Sequence, residues 1–163
     1  MEDRMKKIIV LLMVFFVYAG FAFAGEKVRF IASDNGTVMD TRTKLMWAAN
    51  DNGSKVNWVD ATAYCADFRA GGYTDWRMPT LDELEGLYDE EATQQMGSFA
   101  LHLTELIKLT ACCPWASETR GMQAALLDFT DGYPMWQYWT YGLYYPGRAL
   151  PVRSTRAGRS SGE

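Results

Sequence analysis

The stretch Gly72–Leu84 constrains the fold of this chain more than any other part of the sequence. Thr80 followed three residues later by Glu83 forms a capping box, in which a hydroxyl and a carboxylate each accept a hydrogen bond from a backbone amide at a helix start. Pro79 disfavours the helical conformation in the residue before it. The sequence therefore predicts a short strand that ends at Pro79 and a helix that begins after Thr80.

Charged side chains flank a tryptophan in this strand. Side chains of a strand point alternately to its two faces, which directs Trp76 to the core and Asp75 and Arg77 to the other side. We expect Arg77 to tie the loop to a carboxylate or to backbone carbonyls. Structural roles are predicted for Trp47, Trp58, Trp76, Arg77, Pro79, Thr80 and Glu83.

The first 24 residues have the composition of a secretory signal peptide. A basic start precedes an apolar run from Ile8 to Phe23, and Ala22 and Ala24 form a cleavage site of small residues. The run is near the lower limit of roughly 17 residues for a membrane span, so an uncleaved anchor is the weaker alternative. We predict cleavage after Ala24, a secreted or periplasmic mature chain, and no membrane span in that chain.

The mature chain, residues 25–163, has the size of one domain. Removal of the signal removes three basic and two acidic residues and changes the formal charge from -4 to -5. An acidic chain has no general attraction for nucleic acids, anionic lipids or sulfated polysaccharides, so we predict no nucleic-acid partner. Residues 154–163 are polar and lack periodicity, which predicts a disordered tail after a domain that ends at Arg153.

Cys65, Cys112 and Cys113 are the three cysteines of the chain. A disulfide can form and persist in an oxidising compartment. Helical spacing places Cys65 on the inner face of a helix, so we expect it to pair with Cys112 or Cys113. A bridge between the two neighbours closes only a small, strained ring. The third thiol is either buried and inert or links two molecules.

Helices and strands follow each other in a mixed order. An Asn-Gly turn predicts a first hairpin, Asn57 is a helix N-cap, and Gly71-Gly72 supply a left-handed exit from that helix. A loop is expected over residues 89–99. Further predicted elements are a helix over 103–109 and strands over 115–119, 124–129, 136–145 and 149–153.

In this order the motifs resemble the DUF1566 family, the domain also found at the C-terminus of the Legionella collagen-like adhesin. The motifs are the Asn35-Gly36 turn, the segment 40–47, Tyr64-Cys65, the run 72–80, the segment 115–118 and the segment 151–153. The resemblance spans residues 30–153. It implies an α+β, C-type-lectin-like fold, with two main helices flanking a small, mostly antiparallel sheet and long irregular loops.

The resemblance also implies a function. Family members occur in secreted and surface proteins of bacteria, and the adhesin's domain is associated with glycosaminoglycan binding. The acidic charge of this chain argues against a polyanionic ligand. We therefore expect a non-catalytic binding module that recognises a glycan or a partner protein at the cell envelope or outside it. The alternative is a structural subunit that assembles into an envelope or surface complex through its aromatic surface or a spare cysteine.

Candidate catalytic residues are sparse. His102 is the one histidine and lies between two leucines, and Ser98 and Ser117 have no neighbouring base. A copper-dependent oxidase like the distantly related formylglycine-generating enzymes needs two reactive thiols held together late in the domain, and the adjacent pair 112–113 is wrong for that purpose. We predict no enzyme, and an enzyme related to the formylglycine-generating enzymes is the weaker alternative.

The polar cluster Asn50-Asp51-Asn52 is a candidate calcium site. Residues 50–52 offer carboxylate and amide oxygens, which calcium prefers. The Glu-Pro-Asn and Trp-Asn-Asp signatures of calcium-dependent lectins are absent from the sequence, and Asn-Asp-Gly clusters favour turns. We therefore predict a turn and no metal or other cofactor, and a weak calcium site at these residues is the minor alternative.

An aromatic stretch from Trp136 to Tyr145 is the candidate ligand surface, together with the segment 115–120. Flat rings stack on the C–H faces of sugars, while charged groups bind the hydroxyls. The same residue types form protein interfaces, so the pattern leaves both ligands open. The candidate contact residues are Trp115, Glu118, Arg120, Trp136, Trp139, Tyr144 and Tyr145.

Overall fold

A computed structural model describes residues 28–139 and 147–155 of the chain. This part is an α+β structure with two short α-helices and small antiparallel sheets. The strands are β1 (Phe30–Ser33), β2 (Thr37–Asp40), β3 (Leu45–Ala48), β4 (Gln94–Met96), β5 (Phe99–Leu101), β6 (Trp115–Arg120), β7 (Gln123–Leu127), β8 (Pro134–Tyr138) and β9 (Val152–Ser154). The helices are α1 (Trp58–Asp67) and α2 (Leu81–Glu85), and a 3-10 helix (Ala70–Gly72) follows α1.

The described strands form three sheets, where the sequence predicted one. The strand orders are β1-β2-β3-β9, β4-β5 and β6-β7-β8. Most pairs join consecutive strands across short turns, such as the one at Gly36, whose φ of 80° favours glycine. Among the strands within residues 28–139 and 147–155, only β9 returns from late in the chain to pair with an early strand. Local pairing therefore gives separate small sheets.

Strand β9 holds the segment that contains Trp76 and Arg77 in place. Val152 of β9 lies opposite Trp47 of β3, and its backbone also exchanges two hydrogen bonds with Arg77, at 2.9 and 3.0 Å. Ser154 belongs to β9, and the Thr155 amide donates to the carbonyl of Lys44. The prediction of a disordered tail is thus wrong for its first two residues, and residues 156–163 lie outside the described part.

Both helix starts are confirmed. The Asn57 side chain accepts a hydrogen bond from the Asp60 amide, and α1 begins at the next residue. Thr80 and Glu83 form the predicted capping box at the start of α2. Gly71 has a φ of 65°, the left-handed conformation expected after α1. Side-chain hydrogen bonds at the caps and one glycine therefore fix where these helices begin and end.

Two predictions for the middle of the chain are wrong. Strands β4 and β5 form a hairpin that begins within the predicted loop over residues 89–99. The expected helix over 103–109 is a series of turns. The reason for the second error is tertiary: the Lys108 amide donates to the Ala49 carbonyl, and the Lys108 carbonyl accepts from the Asp51 amide. These hydrogen bonds hold the segment against another loop, which overrides its helical propensity.

Apolar side chains cover both faces of the sheet β6-β7-β8. Ala125 and Leu127 contribute to a first core cluster with Trp47. Ala124 and Leu126, which alternate with them along β7, contribute to a second cluster on the other side. This sheet therefore lies between two cores. In the described residues, no helix is long and apolar enough to cross a membrane.

The cysteines are arranged differently from the expectation. Cys112 and Cys113 form a disulfide with each other, and Cys65 is a free thiol. The expected bridge to Cys65 is therefore wrong. Cys65 is fully buried on α1, and burial raises the pKa of its thiol to about 12. It is a packed core residue, which is one of the two fates expected for the spare thiol.

Candidate functional site

The structure divides the predicted contact residues among several environments. Trp115 is only 1% exposed, and its indole N–H donates to the Val56 carbonyl at 2.8 Å. A ring with this burial and this internal partner belongs to the core. The prediction that Trp115 contacts a ligand is wrong, because the first residue of β6 faces the second core cluster.

Glu118 is half-buried and has a partner within the protein. One of its carboxylate oxygens accepts a hydrogen bond from the backbone amide of Leu81 at 2.9 Å. Leu81 is the first residue of α2, so Glu118 satisfies an amide that has no partner within the helix. A carboxylate at this end also interacts favourably with the helix dipole. Glu118 thus links β6 to α2.

Arg120, Trp136 and Tyr138 share one face of the sheet. In the strand register, Gln123 of β7 lies opposite both Arg120 and Tyr138, and Ala125 lies opposite Trp136. Residues that are opposite each other, or two apart on one strand, point to the same side. We call the surface formed by Arg120, Gln123, Trp136 and Tyr138 the Arg120 face.

A cation–π contact organises this face. The guanidinium carbon of Arg120 lies 3.8 Å from the centre of the Trp136 ring. Trp136 is half-buried against the first core cluster, which fixes the ring. Arg120 is exposed, and it forms no salt bridge or side-chain hydrogen bond with any other residue of the described part. Its N–H groups are therefore oriented by the ring and open to a ligand.

Trp139 contributes to a separate cluster. Its ring stacks on Trp58 with centroids 5.8 Å apart, and both pack against the second core cluster. Trp58 also donates through its indole N–H to the Ala116 carbonyl at 2.8 Å, and its backbone amide donates to the Trp139 carbonyl. These contacts attach the start of α1 to the sheet. Trp139 therefore lies away from Trp136, and these two tryptophans do not share one surface.

Tyr144 and Tyr145 fall in residues 140–146, outside the described part, so their predicted role stays a prediction. Of the seven candidate contact residues, the structure brings together Arg120 and Trp136. It adds Gln123 and Tyr138, which the sequence analysis did not select. Tyr138 is 54% exposed. The turn between β6 and β7 could have indicated this pairing, because it places Arg120 opposite Gln123.

A pocket of about 410 Å³ lies elsewhere, at the end of β7. Sequence reasoning missed it, because its walls come from five separate segments. The lining residues are Met96, Phe99, Thr110, Ala111, Cys112, Asp128, Thr130 and Arg148. The walls therefore combine apolar side chains with a disulfide sulfur, a carboxylate and a guanidinium.

The polar loop near this pocket has structural partners. The buried Asp51 carboxylate accepts hydrogen bonds from the Thr110 amide at 2.6 Å and from the Gly53 amide at 2.7 Å. It also lies 3.6 Å from the guanidinium of Arg148. The side-chain oxygen of Asn52 accepts from the Ala149 amide. The side-chain oxygens of Asp51 and Asn52 thus hold the loop to neighbouring segments.

Residues 36–153 match the Lcl C-terminal domain, which covers more than half of the chain. The chain belongs to this family. The matched region contains both helices, the Arg120 face and the pocket. No curated protein matches the chain. Membership in the Lcl C-terminal domain family suggests a binding module of the adhesin type.

Proposed function

We propose that this Lcl C-terminal domain is a secreted, non-catalytic binding module that recognises a glycan through the Arg120 face, at the bacterial cell envelope or outside it. The observation that supports this proposal most strongly is the exposed Arg120 guanidinium, held 3.8 Å over the Trp136 ring without an ion-pair partner among the described residues. A cation that is oriented but unpaired is suited to binding a ligand.

The chemistry of the face fits a sugar. A guanidinium presents several N–H donors in a rigid fork, which can bind two neighbouring hydroxyls or a sugar carboxylate. Tyr138 adds an exposed ring for C–H contacts and a hydroxyl, and Gln123 adds an amide. The net charge of -4 for the whole chain disfavours long polyanions, so neutral sugars or sugars with an isolated carboxylate are the expected ligands.

Two features of the sequence support the remaining parts of the proposal. The signal-like residues 1–24 support secretion or export to the periplasm, and the family resemblance supports a C-type-lectin-like arrangement of the domain. The lack of a nucleophile beside a base in the sequence supports a role without catalysis.

A partner protein is the second candidate ligand, with assembly into an envelope complex as the role. The observation that favours it is the exposure of three large apolar side chains near the turns of the sheet β6-β7-β8. Met122 is 61%, Tyr133 70% and Tyr138 54% exposed. Exposed aromatic and methionine side chains are enriched in protein interfaces.

A glycan-array screen of residues 25–163, with and without calcium, tests the proposal. The controls are two arginine variants, Arg120→Gln and Arg153→Gln. Arg153 also lies 3.8 Å over an aromatic ring, that of Tyr73, but it is paired with Asp75. We expect binding to a defined group of glycans that Arg120→Gln abolishes and Arg153→Gln preserves.

Light scattering on the same samples separates the two candidate functions. A folded, monomeric chain with glycan binding supports the glycan module. An empty array from a folded chain that forms a defined oligomer would contradict glycan recognition and favour the assembly role. Loss of that oligomer in Met122→Ser would place the interface at the β6–β7 turn, whereas loss in Tyr133→Ser would place it at the β7–β8 connection, at the other end of β7.

A further inference from the structure

The pocket at the end of β7 contains a cluster of metal-ligating atoms. The sulfurs of Cys112 and Cys113 and a carboxylate oxygen of Asp128 all lie within 4.8 Å of one another. Cys112 and Asp128 line the pocket and are half-buried, whereas Cys113 is fully buried behind them. The three groups therefore meet at the boundary between the pocket and the core.

Asp128 is held in position by its neighbours. Its Oδ1 accepts hydrogen bonds from the Thr130 amide at 2.8 Å and from the Thr130 hydroxyl at 2.7 Å. Its backbone carbonyl accepts from the Gly132 amide. The other carboxylate oxygen, Oδ2, has no hydrogen-bond partner within residues 28–139 and 147–155. One oxygen thus fixes the side chain and the second is available as a ligand.

We propose that Cys112, Cys113 and Asp128 form a redox-gated site for a thiophilic divalent cation such as Zn²⁺ or Cd²⁺. In the disulfide form the two sulfurs are bonded to each other, and the site is closed to metal. In the dithiol form, two thiolates and one carboxylate oxygen supply three ligands. A tetrahedral cation then keeps a fourth position, which the pocket leaves open to water or a small ligand.

The gating step requires a dithiol reductant. A thiolate of the reductant attacks the sulfur of Cys112, which faces the pocket, and Cys113 leaves as a thiolate that takes up a proton. The second thiolate of the reductant attacks the mixed disulfide and releases Cys112. Two electrons and two protons pass to the protein, and the reductant becomes a disulfide. Metal binding then displaces both protons.

The charges around the pocket are compatible with a bound cation. Arg148 lines the same pocket, and an isolated guanidinium there would repel a metal ion. Its Nε lies 3.6 Å from the buried Asp51 carboxylate and 2.6 Å from the Thr110 hydroxyl. Asp51 therefore offsets the charge of Arg148, and Asp128 with the two thiolates supplies the negative charge that a divalent cation needs.

A cadmium titration of the folded chain tests the site. The chain is reduced with dithiothreitol, desalted without oxygen and titrated with Cd²⁺, and thiolate–cadmium charge-transfer absorption and proton release are recorded. We expect one Cd²⁺ and the release of two protons per reduced chain, and no charge-transfer absorption from the oxidised chain. Near-ultraviolet circular dichroism before and after metal addition checks that the fold is retained.

Two aspartate variants separate a ligand from a neighbouring charge. Asp128→Asn keeps the Oδ1 acceptor for Thr130 but removes the negative charge, and we expect at least about tenfold weaker Cd²⁺ affinity. Asp131→Asn is the matched control, because the Asp131 carboxylate accepts a hydrogen bond from the Tyr133 amide in a similar turn and is not in the cluster. A second control, Cys65→Ser, removes the remaining thiol and so tests whether it binds the metal. Neither control is expected to change the affinity.

Several results would overturn the proposal. A folded, reduced chain that binds no Cd²⁺ has no such site. Equal affinity in the oxidised chain would contradict gating by the disulfide. Equal losses in Asp128→Asn and Asp131→Asn would contradict ligation by Asp128, and loss of binding in Cys65→Ser would place the thiolate ligand on α1.

Discussion

Two arginines of this protein lie at the same distance from an aromatic ring but have different surroundings. The guanidinium carbon of Arg153 is 3.8 Å from the centre of the Tyr73 ring, and that of Arg120 is 3.8 Å from the Trp136 ring. Arg153 also donates two hydrogen bonds to Asp75, at 2.7 and 3.1 Å. Arg120 has no such carboxylate partner in the described part of the chain.

This difference separates a structural contact from a candidate binding surface. Arg153 of β9 and Asp75 satisfy each other, and the hydrogen bond from Arg153 holds the pKa of the Asp75 carboxyl below its ordinary value. The stack on a ring is common to both arginines, so it does not by itself indicate a ligand. The hydrogen-bonding capacity that remains on Arg120 is what indicates one.

The largest loss of stability is expected for a change at Trp115, a candidate contact residue that belongs to the core and not to a binding surface. Trp115→Ala removes a fully buried ring and its hydrogen bond, and we expect a loss of about 3–5 kcal/mol in the free energy of unfolding. Urea denaturation followed by tryptophan fluorescence measures this loss. A loss below about 1 kcal/mol would mean that Trp115 is not the core residue described above.

The second effect concerns the capping box and its ion pair. Glu83 accepts from the Thr80 amide at 2.9 Å and from two guanidinium nitrogens of Arg77, at 2.7 and 2.6 Å. Arg77 is 44% exposed in its side chain, so the ion pair adds little beyond the cap. We expect Glu83→Ala to cost about 1–2 kcal/mol of unfolding free energy.

Glu85→Ala is the matched control for that variant. Glu85 is exposed on the same helix and is not part of the capping box. Urea unfolding of the control is expected to match that of the unchanged chain within about 0.5 kcal/mol. Equal losses in the two variants would show that helix propensity, and not the cap, accounts for the effect.

A smaller effect is the dependence of stability on pH. Burial alone would raise the pKa of the Glu83 carboxyl, but hydrogen bonds from Arg77 and Thr80 outweigh it and lower the pKa below the ordinary 4.5. Burial would likewise raise the pKa of the Asp40 carboxyl, but the hydrogen bonds from Arg29 and from the backbone outweigh it and hold this pKa below the ordinary 3.8.

The sign of this dependence follows from the two lowered pKa values. Both carboxylates stabilise the fold fully above their ordinary pKa values, and this contribution is lost as the pH falls through the lowered ones. We expect the midpoint of urea unfolding to fall from about pH 5 downward, with a shallower fall in Glu83→Gln. An unchanged slope in that variant would contradict the assignment to Glu83.

The helix starts and the first hairpin could be predicted from local sequence signals. Asn57, Thr80 and Glu83 mark the starts of both helices because a cap depends on residues within one turn. Gly36 marks the first hairpin for a similar reason. The helix predicted over 103–109 does not form, because the backbone of Lys108 is hydrogen-bonded to Ala49 and Asp51. No local sequence pattern shows such a long-range contact.

The candidate site could be predicted only in part. Arg120 and Trp136 have the residue types expected of a ligand surface, but only the register of β6, β7 and β8 shows that they share a face. Trp139 packs on Trp58 in the second core cluster instead. The same lack of three-dimensional information made Trp115 look exposed. The disulfide between Cys112 and Cys113 was also misjudged, since helical spacing places Cys65 in the core without showing which sulfur it meets.

The most direct test of the central claim compares Arg120→Gln with Arg153→Gln in both affinity and stability. The affinity for the best glycan from the array is measured by calorimetric titration, and the free energy of unfolding by urea denaturation. We expect Arg120→Gln to lose at least about tenfold in affinity with stability unchanged within about 0.5 kcal/mol. Arg153→Gln is expected to keep its affinity and to lose up to about 1 kcal/mol of stability. Undiminished affinity in Arg120→Gln would contradict the claim that the Arg120 face binds the ligand.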